Sequence, residues 1–244
     1  MTKLAAVGPF AFMAMLAVAP ARGPDAPLPN LVELPPSSLE VQSVGGRSLL
    51  RFTSTVENRG RSALVVVSTR AEPGAAFASV QVLGSGRVPL RVALAYRRSG
   101  GHDHFHLRGF QRYELRDALG RLIARDHKVG YCLGDRRPVG GSRARWTGSC
   151  GRGRPRALRI AQGLSPGFAD PYASDLGGQT FDVTALPAGD YELSSAVNPA
   201  RALRESAYDD DAASVRFVLA RPPAPAGIAF VQVLATCRTA RCPG

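Results

Sequence analysis

The sequence predicts a mainly β fold, an antiparallel two-sheet, β-sandwich-like domain with long irregular loops. Short runs rich in β-branched and aromatic residues recur along it, and turn residues separate them roughly every 8–15 positions. No apolar pattern of helical period lasts three turns. The run 49–56 alternates through Leu50, Phe52 and Val56, as a strand with one buried face should. Runs 63–68 and 80–83 are β-branched, and 92–96 leads through Ser99-Gly100-Gly101 into a strand bearing histidines. Residues 113–115, the turn Asp117-Ala118-Leu119-Gly120 and the return at 122–132 read as a hairpin. A strand at 179–184 is followed by Pro187-Ala188-Gly189-Asp190, typical hairpin punctuation, and by strands at 191–197, 214–219 and 228–234. Two stretches, 134–159 and 160–178, do not fit strands and are expected to be irregular loops, which in a compact domain tend to be functional.

A chain of 244 residues with 45% apolar content can build one large β domain. Residues 1–21 have the form of a secretory signal peptide: Lys3, an apolar run to Val18, then the small residues of Ala19-Pro20-Ala21. That run is shorter than the roughly 20 residues of a spanning helix, so no membrane association is expected after cleavage. A Pro-rich lead-in at 22–27 precedes the main domain at 28–220. Arg221-Pro222-Pro223-Ala224-Pro225 then opens a segment, 221–244, holding an extra strand and a tail. The expected product is a secreted, extracellular monomer. Export to an oxidising compartment favours pairing of the four cysteines. Three pairings are possible, of which the two local bridges, Cys132 with Cys150 and Cys237 with Cys242, are preferred.

The formal charge of +12 comes from 31 basic against 19 acidic residues. The basic residues are scattered and no basic stripe interleaved with aromatics appears, so no specific nucleic-acid partner is expected. An adhesive or wall-binding role for the basic surface is one reading of this charge. Only Lys3 and Lys128 among the 31 are lysines, and signal cleavage would leave Lys128 alone. A lysine can lose its proton and act as a nucleophile, whereas an arginine effectively cannot. A position that keeps lysine in such a chain is therefore a candidate for amine chemistry.

Chemistry concentrates in His102-Asp103-His104-Phe105-His106, which holds three of the four histidines; the other is His127. Residues i, i+2 and i+4 of a strand share a face, so three imidazoles can converge on one ion. Imidazole suits copper, zinc, nickel or iron rather than a hard cation of the calcium type. The competing reading is a solvated polar strand face.

Further motifs follow in order: Asp126-His127-Lys128 with Tyr131-Cys132-Leu133 and Asp135; Gln162-Gly163-Leu164-Ser165-Pro166-Gly167 with Asp170, Tyr172 and Asp175; and Val197-Asn198-Pro199. Together with the histidine triad, and with Leu28-Pro29-Asn30-Leu31-Val32 upstream, this series resembles the catalytic domain of the lysyl oxidase family. The resemblance covers about residues 28–218. It implies copper bound by His102, His104 and His106, and a lysine tyrosylquinone cofactor formed by joining Lys128 to Tyr172. It implies an amine oxidase that uses dioxygen to convert primary amines, including peptidyl lysine, to aldehydes, releasing hydrogen peroxide and ammonia. Asp175, three residues after Tyr172, is the candidate proton acceptor. Animal relatives carry a further histidine beyond the triad, and Arg112 aligns with it across a one-residue gap. The segment 205–211 resembles a calcium-holding loop of relatives, with Asn30, Glu205, Asp210 and Asp211 as matching ligands and Ala207 in place of an acidic residue. The alternative to an oxidase is a secreted, non-catalytic copper- or zinc-binding β-sandwich protein.

Overall fold

A computed structural model describes residues 26–84, 86–98, 102–125, 130–140, 143–223 and 228–243. The expected signal peptide and most of the lead-in lie outside these residues, as do Asp126, His127 and Lys128. The described residues contain strands and no helix. In chain order the strands are β1 (Leu31–Val44), β2 (Arg47–Asn58), β3 (Leu64–Thr69), β4 (Ala78–Leu83), β5 (Gly86–Leu90), β6 (Leu94–Arg97), β7 (His104–Leu107) and β8 (Gln111–Asp117). They continue as β9 (Leu122–Arg125), β10 (Arg137–Pro138), β11 (Arg159–Leu164), β12 (Phe168–Tyr172), β13 (Thr180–Asp182), β14 (Gly189–Val197), β15 (Ala212–Ala220) and β16 (Phe230–Cys237).

The mainly antiparallel β architecture is as expected, but hydrogen bonding divides it into more than two sheets. One runs β1-β2-β12-β10 with β13 also on β2, a second β11-β3-β4-β5, a third β16-β15-β14-β8-β9, and β6 pairs with β7 as a ribbon. Two hydrophobic cores result. Leu50 and Phe52 of β2 pack with Tyr113, Leu115, Leu193, Val215 and Phe217. Val56, further along the same strand, joins Leu31, Leu64, Val66, Leu107, Tyr131, Leu164 and Tyr172 in the other core. A long β2 thus belongs to both cores and fixes their relative placement. β1 bends at irregularities between Leu34 and Ser37 and between Ser37 and Glu40. Pro35 and Pro36 sit there, and proline has no N–H to continue a ladder.

The stretch 160–178 departs from expectation, because it supplies most of β11 and all of β12. Neither has a strong β composition; β11 forms by pairing Arg159 to Leu164 with β3, and β12 by pairing Phe168 to Tyr172 with β2. Pro171 is tolerated since β10 pairs only Phe168 and Ala169, leaving the second edge of β12 free at residue 171. The stretch 134–159 is largely irregular, as expected, apart from β10 and the first residue of β11. Of the expected return at 122–132, residues 126–129 lie outside the described residues; β9 covers Leu122–Arg125, and Tyr131 makes an isolated bridge to Leu107.

Candidate metal and redox centre

The short strand β7 is held on both edges. β6 pairs with it on one side, matching Arg97 with His104 and Ala95 with His106. On the other side Phe105 N–H donates to the Cys150 carbonyl at 2.9 Å, and Leu107 N–H donates to the Tyr131 carbonyl at 2.7 Å. Close approach there requires glycine at 130, where a Cβ would lie 2.4 Å from the Leu107 carbonyl oxygen. Phe105 and Leu107 are buried, and alternation places His104 and His106 on the opposite face. His102 precedes the strand, so a single pleat does not present all three histidines. They converge nonetheless: one nitrogen from each lies within 4.8 Å of those of the other two. Ring centroids are 4.5 Å apart for His104 and His106, 4.9 Å for His102 and His106, and 5.3 Å for His102 and His104.

His104 is kept neutral. Burial is the main cause, and the positive charges of Arg152, His102 and Arg136 add to it, outweighing Asp103 and bringing its pKa down to about 4. Its Nδ1 is buried with no hydrogen-bond partner among the described residues. A buried, lone-pair-bearing nitrogen beside two other imidazoles fits the ligand set of a copper or zinc ion. Asp103 belongs to another set of contacts, since its carboxylate accepts from Tyr96 Oη at 2.6 Å.

Tyr172 ends β12 opposite Ser54 and is buried. Its Oη accepts a hydrogen bond from Cys132 N–H at 3.1 Å, and its ring lies 3.9 Å from that of Tyr131, centroid to centroid. Burial pushes the phenol up to about 12, opposed by the Cys132 N–H and Arg136 and reinforced by Asp170. The Cys132–Cys150 disulfide joins the residue that holds the Tyr172 hydroxyl to the residue that holds Phe105. Tyrosine and histidine strand are thereby tied through one covalent bridge. A cavity of about 220 Å³ is lined by His102, His104, Tyr172 and Asp175 together, with Arg136 and Arg152 also in its wall. His106 lies beneath, 4% exposed.

Other motif residues build the scaffold. Buried Asp170 accepts from Gly134 N–H at 2.9 Å and from Arg136 Nε at 2.7 Å. Asp135 accepts from Ser165 N–H and Oγ and from the N–H groups of Arg145 and Trp146. Gly163 is hemmed in, its absent Cβ falling 2.4 Å from the Leu64 carbonyl oxygen and 2.7 Å from the Trp146 ring. Arg136 and Arg152 were not picked out by the sequence, because they are two arginines among many in 134–159. Arg112 lies away from this centre and lines a second cavity with Glu114 and Arg241.

The four residues matched to a calcium loop also meet. Asn30 Nδ2 donates to Asp210 Oδ2 at 2.8 Å, and Glu205 accepts from Leu31 N–H at 2.6 Å and Asn198 Nδ2 at 2.5 Å. Burial, with the neighbouring aspartates, pushes Glu205 up to about 8; burial and Asp210 push Asp211 up to about 7. Asp210 Oδ1 and Asp211 Oδ1 are buried without hydrogen-bond partners. Buried, mutually repelling carboxylate oxygens fit a hard divalent cation. Both oxygens of Glu205 are already engaged by N–H donors. Both local disulfides preferred from the sequence, Cys132–Cys150 and Cys237–Cys242, are present.

Comparison with known proteins places this arrangement in a class. Residues 79–222 match the family model described as lysyl oxidase. The chain is 30% identical over 177 residues to protein-lysine 6-oxidase of Rattus norvegicus, covering 70% of this chain and 34% of that protein. It is 29% identical over 177 residues to the Sus scrofa protein of the same name, covering 70% of this chain and 57% of that one. Lysyl oxidase homolog 1 of Homo sapiens is 28% identical over 167 residues, 68% of this chain and 24% of the relative. The chain belongs to the lysyl oxidase family. It spans about a third of the length of the rat relative. Among the described residues no helix is long and apolar enough to cross a membrane.

Proposed function

We propose that this protein is a secreted, copper- and quinone-dependent amine oxidase acting on primary amines, peptidyl lysine included, with dioxygen as oxidant. The reading rests on one observation: His102 and His104 line the same cavity as Tyr172, which is 68 or more positions away in sequence. His102, His104 and His106 would hold copper, which supplies one-electron redox chemistry for oxidising a nearby phenol by dioxygen. Tyr172 would be the ring oxidised and Lys128 the amine joined to it. Lys128 precedes Cys132 by four positions, so chain length alone keeps their Cα atoms within about 14 Å. Cys132 is the residue whose N–H holds the Tyr172 hydroxyl.

The remaining groups have separable tasks. The Cys132 N–H fixes the Tyr172 oxygen, and Tyr131 limits rotation of its ring by stacking. Burial and the adjacent guanidiniums keep His104 in the neutral form a metal requires. Asp175 stands on the cavity wall, exposed to solvent, as the proton acceptor for the substrate carbon. Asn30, Asp210 and Asp211 would hold calcium beside Glu205, stabilising the join between the N-terminal strand and the 205–211 loop.

The decisive experiment is peptide mapping of copper-loaded protein. A peptide joining Lys128 to an oxidised Tyr172, reactive with phenylhydrazine, is expected. Lys128→Arg should abolish amine-dependent peroxide release while leaving copper stoichiometry unchanged. Normal turnover in that variant, or unmodified peptides for both positions in active enzyme, would refute the assignment.

A further inference from the structure

A second cavity, about 280 Å³, lies where the Cys237–Cys242 loop folds over strands β8 and β14. Arg112, Arg116 and Arg241 line it with Glu114. Alternation on β8 explains the set: Tyr113 and Leu115 are buried in the core, so Arg112, Glu114 and Arg116 share the other face. Arg116 Nη2 and Arg125 Nη2 donate to Glu114 at 2.6 and 2.7 Å, while Arg112 Nε lies 3.6 Å away. Hydrogen bonds from Arg116 and Arg125 outweigh the effect of burial and hold the Glu114 carboxyl below its ordinary pKa, so it is an anion. Across the seam Glu192 accepts from Arg241 Nε and, at 2.8 Å, from Cys242 N–H. Arg241 also reaches the Gly120 turn, where an added Cβ would meet its Nη2 at 2.7 Å.

Four guanidiniums (Arg112, Arg116, Arg125 and Arg241) therefore share two carboxylates, an excess of two positive charges. The Nε of Arg116 is buried with no hydrogen-bond partner among the described residues. Among the described residues Arg112 makes only its long contact to Glu114, which leaves its remaining donors for a ligand. We propose that this seam binds a phosphate-class dianion, either free phosphate or a phosphoryl group carried on a chain. A dianion balances the excess charge, and its oxygens match the planar fork of arginine donors. Ala240 and Arg241 lie beyond residues 79–222, so one wall of the seam comes from outside the part matched to the family. The site shares no lining residue with the histidine cavity, and its test is independent of the oxidase reading.

Isothermal titration of the full protein with inorganic phosphate, and separately with a phosphoserine peptide, tests it. Saturable binding at one site is expected. Arg112→Ala and Arg241→Ala should each weaken it about tenfold, and Arg87→Ala, on β5 outside the seam, should not change it. Arg112 is half exposed with one long ion pair, so its removal leaves the fold intact. Equal binding of the two probes assigns the site to free phosphate, and tighter binding of the peptide assigns it to a chain-borne phosphoryl group. Absence of saturable binding by both probes, or affinity unchanged in both cavity variants, overturns the proposal.

Discussion

His102, His104 and His106 lie within five consecutive positions and gather beside a cavity, whereas Asn30 and Asp210 meet across 180 residues of chain in a cluster tied to backbone. Both clusters bury polar side chains, and the difference is in how their atoms are used. His104 Nδ1 has no hydrogen bond and its ring borders open space. Glu205 has both oxygens engaged, one by Leu31 N–H and one by Asn198 Nδ2. Unsaturated nitrogens beside a cavity suit chemistry; the acidic cluster fastens through Glu205, while Asp210 Oδ1 and Asp211 Oδ1 stay unsatisfied among the described residues, as a cation site would need. The first cluster borrows its rigidity from neighbours such as the Cys132–Cys150 bridge, while the second supplies rigidity by clamping Leu31 to the 205–211 loop.

Perturbing each cluster should therefore damage different properties. The largest effect is expected from Tyr172→Phe, which should abolish amine-dependent peroxide release while the protein still folds and binds copper. The hydrogen bond from Cys132 N–H is lost from the folded state, about 1–3 kcal/mol. Residual turnover at wild-type level would break the contrast at its catalytic side. Glu205→Ala comes next, in stability: two buried donors lose their acceptor, and urea unfolding should show a loss of about 3 kcal/mol. A change within 0.5 kcal/mol, as surface substitutions give, would mean the cluster fastens nothing.

Asp175→Asn should lower kcat about 100-fold with little change in melting temperature, as removal of a positioned proton acceptor does. An unchanged kcat would exclude Asp175 as the proton acceptor. The smallest effect is expected from calcium. At ten times its dissociation constant it should add about 1.4 kcal/mol, or roughly 3–5 °C in melting temperature, and Asp211→Asn should remove the increment. A melting curve indifferent to calcium in the wild-type protein would leave the acidic cluster as a hydrogen-bonded clamp alone.

Much of this was legible because side-chain alternation is local. The run 49–56, the pair 191–197 and 214–219, and the histidine pentapeptide all announce themselves by spacing; β2, β14 and β15 contain the first three, and β7 holds His104 to His106. β11 and β12 were not legible, since Ile160-Ala161-Gln162-Gly163-Leu164 and Phe168-Ala169-Asp170-Pro171-Tyr172 carry weak strand preferences. Pairing with β3 and β2 decides them, and that pairing is a property of partners 90 or more residues away. Arg152 was equally hidden, as one arginine in a stretch full of them acquires meaning only by lying against His104.

By itself the sequence determined the residue types able to do redox chemistry: three histidines at alternate positions, one lysine outside the leader-like segment, and a tyrosine in a recognisable motif. It also favoured, out of three possible pairings, the two short-range disulfides that the structure contains, since loop closure favours near neighbours. Tertiary structure alone decided that Tyr172 and the histidines share a cavity, that Arg112 faces a different one, and that the acidic loop closes on Asn30. Spacing along a chain fixes which side chains share a face. Only burial of two cores around β2 fixes which faces meet.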